Sequence, residues 1–331
     1  VPTDDKTKFF YALTPEHILH AVASGGLAPT GRMMQLNSYE NRVYQIEVDD
    51  DRWVVGKFYR PGRWSLDTIL DEHRFLQELA ATEIPVAAPL TLSNGATIDE
   101  ANGIMFSLYP RLAGRSAQEL NDEQLRIAGR LLARIHNVGA QNTAAHRLHF
   151  SVDAYGRNNL DWLLSNQVIP PEAEAQFAQT VTSLLDRISP LFEGVPFHRI
   201  HGDCHLGNIM ETPRGLSFLD FDDMMNGPAV QDVWMLVPSY DAHGQAQRDT
   251  LLTAYREVRD FSAQWLRLIE PLRALRFLHY ATWIARRFSD PAFQKTFSHF
   301  GTLSYWQNET QDLREQIARI DAEQQAQMLW H

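Results

Sequence analysis

The chain has 331 residues, 44% of them apolar and 21% charged, with a formal net charge of −11. That length suits about two domains, and the acidic balance excludes a whole-surface footprint for nucleic acid, so no nucleic-acid partner is expected. One cysteine, Cys204, excludes an intrachain disulfide and fits a reducing compartment. Residues 1–11 lack the apolar core of a signal peptide, and no run approaches the roughly 18 apolar residues of a membrane span. The expectation is a cytoplasmic monomer with no membrane partner.

Residues 1–32 read as a leading segment with one helix, capped by Thr14 with Pro15 in its first turn. Arg42–Val48 alternates apolar and polar, Asp49-Asp50-Asp51 is a turn, and Trp53–Tyr59 is a second strand, so the two predict a hairpin. An amphipathic helix is predicted over 65–80, with Leu66, Ile69, Leu70, Phe75, Leu76 and Leu79 on its buried side. Strands at 86–92 and 104–109 complete a small sheet. Beyond Pro110 helical patterns dominate, at 117–137, 158–165, 171–192, 228–240, 246–259, 262–288 and 309–328. Short strands break in only at 198–223. The layout is a small β-rich lobe, residues 1–110, and a larger helical lobe, residues 111–331, joined by a crossing segment at Tyr109–Gly114.

The chemistry concentrates in His201-Gly202-Asp203-Cys204-His205-Leu206-Gly207-Asn208, followed twelve residues on by Asp220-Phe221-Asp222-Asp223. An Asp, an Asn five positions later and an Asp after a short apolar strand are what magnesium-assisted phosphoryl transfer requires. Asp203 orients a hydroxyl and accepts its proton, while Asn208 and Asp220 offer oxygen ligands to Mg²⁺. Asp222 reads either as a further member of the site or as a hydrogen-bonded turn residue. A zinc reading of His198, His201, His205, Asp203 and Cys204 competes, but the spacings do not match a strong zinc motif. His201 reads as packing at the base of the loop. Cys204 reads as a buried thiol rather than a nucleophile.

Lys57, in apolar company on its strand, is either a solvent-facing edge residue or a point charge for nucleotide phosphates. In the second case Glu72 is the expected partner, and Asp71, about 100° round the helix, lies closer to the solvent side. Leu36–Arg42 reads either as an ordinary polar turn or as a phosphate-covering turn with Asn37, Ser38 and Asn41 in place of glycines. Asp232 falls in an apolar helix after Gly227-Pro228. A buried Asp needs donors, and the backbone amides of the catalytic segment are the candidates.

With these motifs in place, His-Gly-Asp-x-x-x-x-Asn and the Asp220 strand resemble the aminoglycoside-phosphotransferase and choline-kinase branch of the kinase-like fold. Leu36–Tyr44, Lys57–Pro61, Pro85–Pro89, His201–His205, Asn226–Asp232 and Glu270–Ala274 together resemble the bacterial stress response kinase A family over about residues 10–310. The resemblance implies an α+β, bilobal protein-kinase-like fold, and ATP with Mg²⁺ as cofactors. It further implies a serine/threonine protein kinase with autophosphorylation, acting in the stress response of a bacterial cytoplasm. It makes Asp203 the proton acceptor and Asn208 and Asp220 the metal ligands. Asn37 and Ser38 fall at the ATP-binding turn, Lys57 and Glu72 form the anchoring pair, and the backbone from Tyr109 to Leu112 meets the adenine. The chain lacks a glycine-rich loop, Asp-Phe-Gly and Ala-Pro-Glu, which removes the usual peptide platform. A kinase for a small hydroxylated molecule therefore stands as the alternative. Tyr280, Trp283, Arg286, Arg287, Phe288, Tyr305 and Trp306 either line an acceptor groove or pack as core.

Overall fold

The computed structural model describes residues 13–328. Helix α1, Pro15–Ser24, starts at a capping box in which Thr14 accepts from the His17 amide. Strands β1 (Pro29–Leu36), β2 (Arg42–Val48) and β3 (Arg52–Phe58), helix α2 (Leu66–Ala81) and strands β4 (Asp99–Ala101) and β5 (Ile104–Pro110) form the small lobe. Its sheet is antiparallel, in the order β1-β2-β3-β5-β4. Asp50 and Asp51 turn the β2–β3 hairpin at φ of 63° and 54°, a conformation Asp tolerates better than most residues. Ile18, Ala21 and Val22 of α1 pack with Ile46, Val54, Phe58, Phe106 and Leu108 of the sheet. Phe75, Leu76 and Leu79 of α2 instead join the core of the large lobe.

The large lobe begins with β6 (Arg115–Ser116) and α3 (Asp122–Gly139), then α4 (Asn158–Ser165), α5 (Pro171–Ile188) and β7 (Phe197–Ile200). Strands β8 (Ile209–Thr212), β9 (Gly215–Phe218) and β10 (Met225–Pro228) follow, then α6 (Ala229–Leu236), α7 (Ala242–Arg256), α8 (Ile269–Arg287), α9 (Pro291–Thr296) and α10 (Leu303–Met328). β6-β8-β9 form one small sheet and β10-β7 another, so two ladders bracket the segment 201–208. Among the described residues no helix is long and apolar enough to cross a membrane.

Four expectations need correction. Residues 86–92 do not form a strand. Only Val86 makes a bridge, to Phe218, because Pro85 and Pro89 have no N–H to give a ladder. The sheet also has two strands not anticipated, β4 and β1, the latter starting inside what reads as the leading segment. β1 is an edge strand of mostly exposed and half-buried residues, so no apolar run marks it. Asp71 does not face solvent but is 3% exposed, ion-paired to Arg74 and accepting from the His146 amide at 2.7 Å. The surface there is covered by the segment 140–150, which helical periodicity cannot anticipate. The helix expected over 262–288 is divided, a 3₁₀ stretch over 263–268 preceding α8.

Candidate active site

Lys57 lies on β3 opposite Ser107 of β5 and is 8% exposed. Its ammonium is 3.6 Å from Glu72 Oε1 on α2, 3.4 Å from Asp220 Oδ1 and 3.0 Å from Asp222 Oδ1. Burial alone would depress the Lys57 pKa, but the three carboxylates outweigh it and hold the pKa well above the ordinary value. The edge-strand alternative is thereby set aside. Glu72 is also buried, and its second oxygen accepts from Arg147 Nη2 at 2.9 Å. Arg147 donates as well to the carbonyls of Thr68, at 2.8 Å, and Asp222, at 2.5 Å, and stacks over Trp64. Sequence reasoning missed Arg147, and no local pattern marks it. The available hint was that a buried carboxylate with two oxygens needs more than one lysine.

Asp222, 3% exposed, is drawn into the same cluster by Arg63 and by Asn41 Nδ2 at 3.3 Å. Burial would raise its pKa, yet Lys57 and Arg63 hold the carboxyl well below the usual range. Asp220 differs. Its backbone sits at φ 54° and ψ 69°, in the left-handed region, and its side chain is 56% exposed.

The segment 201–208 hangs on Asp232, which is wholly buried in α6. Asp232 Oδ2 accepts from the His201 amide and Oδ1 from the Gly202 amide, each at 2.8 Å. His136 Nε2 on α3 lies 3.0 Å from the same carboxylate. Burial lowers the His136 pKa against the pull of Asp232, so the ring is neutral, Nε2 carries the proton and Nδ1 accepts from Tyr255 at 2.8 Å. Gly202 is required: at φ +84°, a Cβ there would stand 2.2 Å from the Asp223 carbonyl oxygen. His201 is buried with its ring centroid 4.4 Å from that of Phe221, the two tilted at 42°, and Phe221 meets Phe75 of α2 edge-on. Its Nδ1 accepts from the Asp203 amide at 3.3 Å, so Nε2 is the protonated nitrogen and donates to the Leu219 carbonyl at 2.8 Å. Cys204 is fully buried, and burial pushes its thiol well up.

Asp203 and Asn208 face one cavity of 530 Å³, which Asn37, Ser38, Asp220 and Asp222 also line. Burial would raise the Asp203 pKa, but the His205 hydrogen bond and the charge of Arg276, 2.8 Å away, hold the carboxylate well below its ordinary range. Asn208 Nδ2 donates to the Asp203 carbonyl at 2.9 Å, which fixes the amide and leaves Oδ1 without a protein partner among the described residues. That oxygen and the exposed Asp220 carboxylate form a hard donor set suited to a small divalent cation. Ser38 Oγ accepts from the Asn41 amide at 3.2 Å and closes the turn over residues 38–41. Glu40 ties the turn to α8 through Arg287 at 2.5 Å and through the Trp283 indole.

Tyr109 and Leu112 do not line this cavity. The Tyr109 hydroxyl is buried against Tyr59 at 2.9 Å and His73 at 3.1 Å, while Leu112 makes no backbone–backbone hydrogen bond among the described residues. The aromatic set divides. Tyr280 and Trp283, stacked at 5.4 Å, line the cavity, whereas Trp306 is core, packed on Phe177. Arg286 stacks over Trp162.

Residues 33–269 match the phosphotransferase enzyme family. Stress response kinase A of Escherichia coli (strain K12) is 38% identical over 308 residues, covering 93% of each chain. The protein named serine/threonine protein kinase RdoA from Salmonella typhimurium is 38% identical over 314 residues and 95% of each chain. Among solved structures, amicoumacin kinase hAmiN in complex with AMP-PNP, Ca²⁺ and Ami superposes with a TM-score of 0.75 at 19% identity, over 94% of this chain and 96% of that one. Spectinomycin phosphotransferase with ADP and its antibiotic superposes with a TM-score of 0.62 at 13% identity, over 92% and 98%. These two likenesses concern the fold, a small antiparallel lobe on a helical one.

Proposed function

The chain belongs to the phosphotransferase enzyme family, in the company of stress response kinase A, and from that premise we propose that it is an ATP- and Mg²⁺-dependent serine/threonine protein kinase that also phosphorylates itself. One arrangement carries the reading: Asp203, Asn208 and Asp220 face a single cavity, with Lys57 and Glu72 joined behind it. Asn208 Oδ1 and the Asp220 carboxylate would hold Mg²⁺, which when bound neutralises charge on the nucleotide phosphates. Lys57, kept cationic by its carboxylates, directs positive charge to the nucleotide side. Asp203, oriented by the loop that Asp232 braces, receives the acceptor hydroxyl and takes its proton. Positioning supplies most of the effect. Asn37 and Ser38 cover the phosphates, and the free backbone groups near Leu112 receive the base. The two lobes divide near Pro110. A role in bacterial stress fits the name of the Escherichia coli relative, and the reading takes the chain to work as a monomer in the cytoplasm.

One observation favours a second acceptor. The cavity is walled by Tyr39, Tyr280, Trp283 and Phe297, as a pocket for a small hydroxylated molecule would be. Radiolabelled ATP with Mg²⁺ separates the cases. The protein-kinase reading expects label on serine or threonine of the chain itself and of a generic protein acceptor. Label appearing only on small alcohols or sugars selects the second reading, and no transfer to any acceptor overturns both.

A further inference from the structure

Arg276, from the middle of α8, donates from Nη2 to Asp203 Oδ1 at 2.8 Å. Its other contact is weak, Nη1 to Met235 Sδ at 3.7 Å. A guanidinium carries five N–H donors, and no further hydrogen bond or ion pair engages this one among the described residues. Its side chain is 36% exposed and lines the cavity with Asp203, Asn208 and Asp220.

The other cations nearby are committed. Lys57 sits among three carboxylates on the nucleotide side. Arg63 is held by Glu40, Asp222 and Asp223. Arg147 is consumed by Glu72 and two carbonyls. Arg273, one turn before Arg276, is tied to Glu270 and the Pro238 carbonyl. Arg276 is the arginine that touches the acceptor-side carboxylate and still has donors to spare.

Phosphoryl transfer creates a use for those donors. As the acceptor oxygen bonds to phosphorus, the bond to the leaving oxygen breaks, its electron pair departs with the nucleoside diphosphate, and the hydroxyl proton passes to Asp203. Meanwhile negative charge is spread over three equatorial oxygens. A phosphoryl group bonding to a hydroxyl held by Asp203 lies within reach of any flexible donor that already touches Asp203. We propose that Arg276 is a further catalytic residue: one N–H holds Asp203 toward the acceptor, and the spare N–H groups bind the equatorial oxygens of the group in transit. The inference rests on the phosphotransferase reading above. It requires Arg276 to favour the planar phosphoryl geometry over the bound nucleotide, as an oxyanion donor does.

Calorimetry on the full chain tests it, comparing wild type, Arg276→Gln and Arg276→Lys with two ligands, Mg²⁺–AMP-PNP and Mg²⁺–ADP with aluminium fluoride as the planar mimic. The expected result for Arg276→Gln is AMP-PNP affinity within about threefold of wild type and a loss of about 100-fold for the fluoride complex. Single-turnover transfer falls at least as far, and added guanidinium ion restores part of it to Arg276→Ala. Retained AMP-PNP affinity shows that the variant is folded. Wild-type affinity for the fluoride complex in Arg276→Gln overturns the inference, as does equal weakening of both ligands. If transfer is seen in wild type and is unchanged in Arg276→Gln, only this inference falls. If wild type transfers nothing, the reading of the whole site falls and takes the inference with it.

Discussion

Two networks meet at the cavity, built on opposite terms. Around Asp232 a single buried carboxylate gathers two backbone amides of the segment 201–208 and a neutral histidine from α3. Around Asp222 and Glu72, charges of both signs converge from β3, the turn at residue 63, α2, the loop at residue 147 and the segment 220–223. The first network resists change because each hydrogen bond is short-ranged and its donors have no other partner. The second resists because removing one member strands the rest, and burial makes a stranded charge costly. In the proposed reading the first holds the acceptor side and the second the nucleotide side, and the second also joins β3 and α2 to the segment 220–223.

The largest effect is expected at Arg147. Arg147→Ala leaves Glu72 buried with Lys57 alone, which should cost about 3–5 kcal/mol in denaturant unfolding and raise the KM for ATP. A loss under 1 kcal/mol would remove Arg147 from the network. Next is Asp232→Asn, which turns an amide NH₂ toward the backbone donors of His201 and Gly202. About 1–3 kcal/mol should be lost, with kcat falling while nucleotide affinity holds. A variant impaired in nucleotide binding but not in kcat would place Asp232 in the wrong network.

A third test uses pH. His73, buried beneath Tyr59 and Tyr109, has its pKa lowered to about 3 by burial, with Lys57 and Arg147 adding to the effect. The unfolded chain binds this proton below about 6.5 and the native chain does not. Stability is therefore full above pH 6.5 and is lost as pH falls toward 3, by up to about 1.4 kcal/mol per unit for this group. His73→Gln should flatten that slope between pH 6.5 and 5, and an unchanged slope contradicts the assignment. The smallest effect is expected outside both networks. Arg130 and Glu257 are paired on the surface at 2.7 Å, and Arg130→Gln should leave Tm and activity unchanged.

The contrast also explains what the sequence could disclose. The amide part of the Asp232 network was legible because a buried Asp in the helix after Gly227-Pro228 requires donors that the preceding loop supplies; His136, 96 residues away, was not. Lys57 and Glu72 could be paired because a strand and the next helix fix their relation. Arg147 and Arg63 could not be found, since their roles depend on loops that no periodicity places. β1 escaped notice because an exposed edge strand carries no apolar run. Residues 86–92 misled because their apolar composition suggested a strand that Pro85 and Pro89 prevent. The partition of Tyr280 and Trp283 from Trp306 likewise follows from which face of α8 or α10 meets the cavity.

The most direct test of the account is Asp203→Ala, with Mg²⁺–ATP binding and single-turnover transfer measured on the same sample. The account predicts binding within about threefold of wild type and transfer slower by about 10²–10⁴-fold. Transfer at the wild-type rate would contradict it.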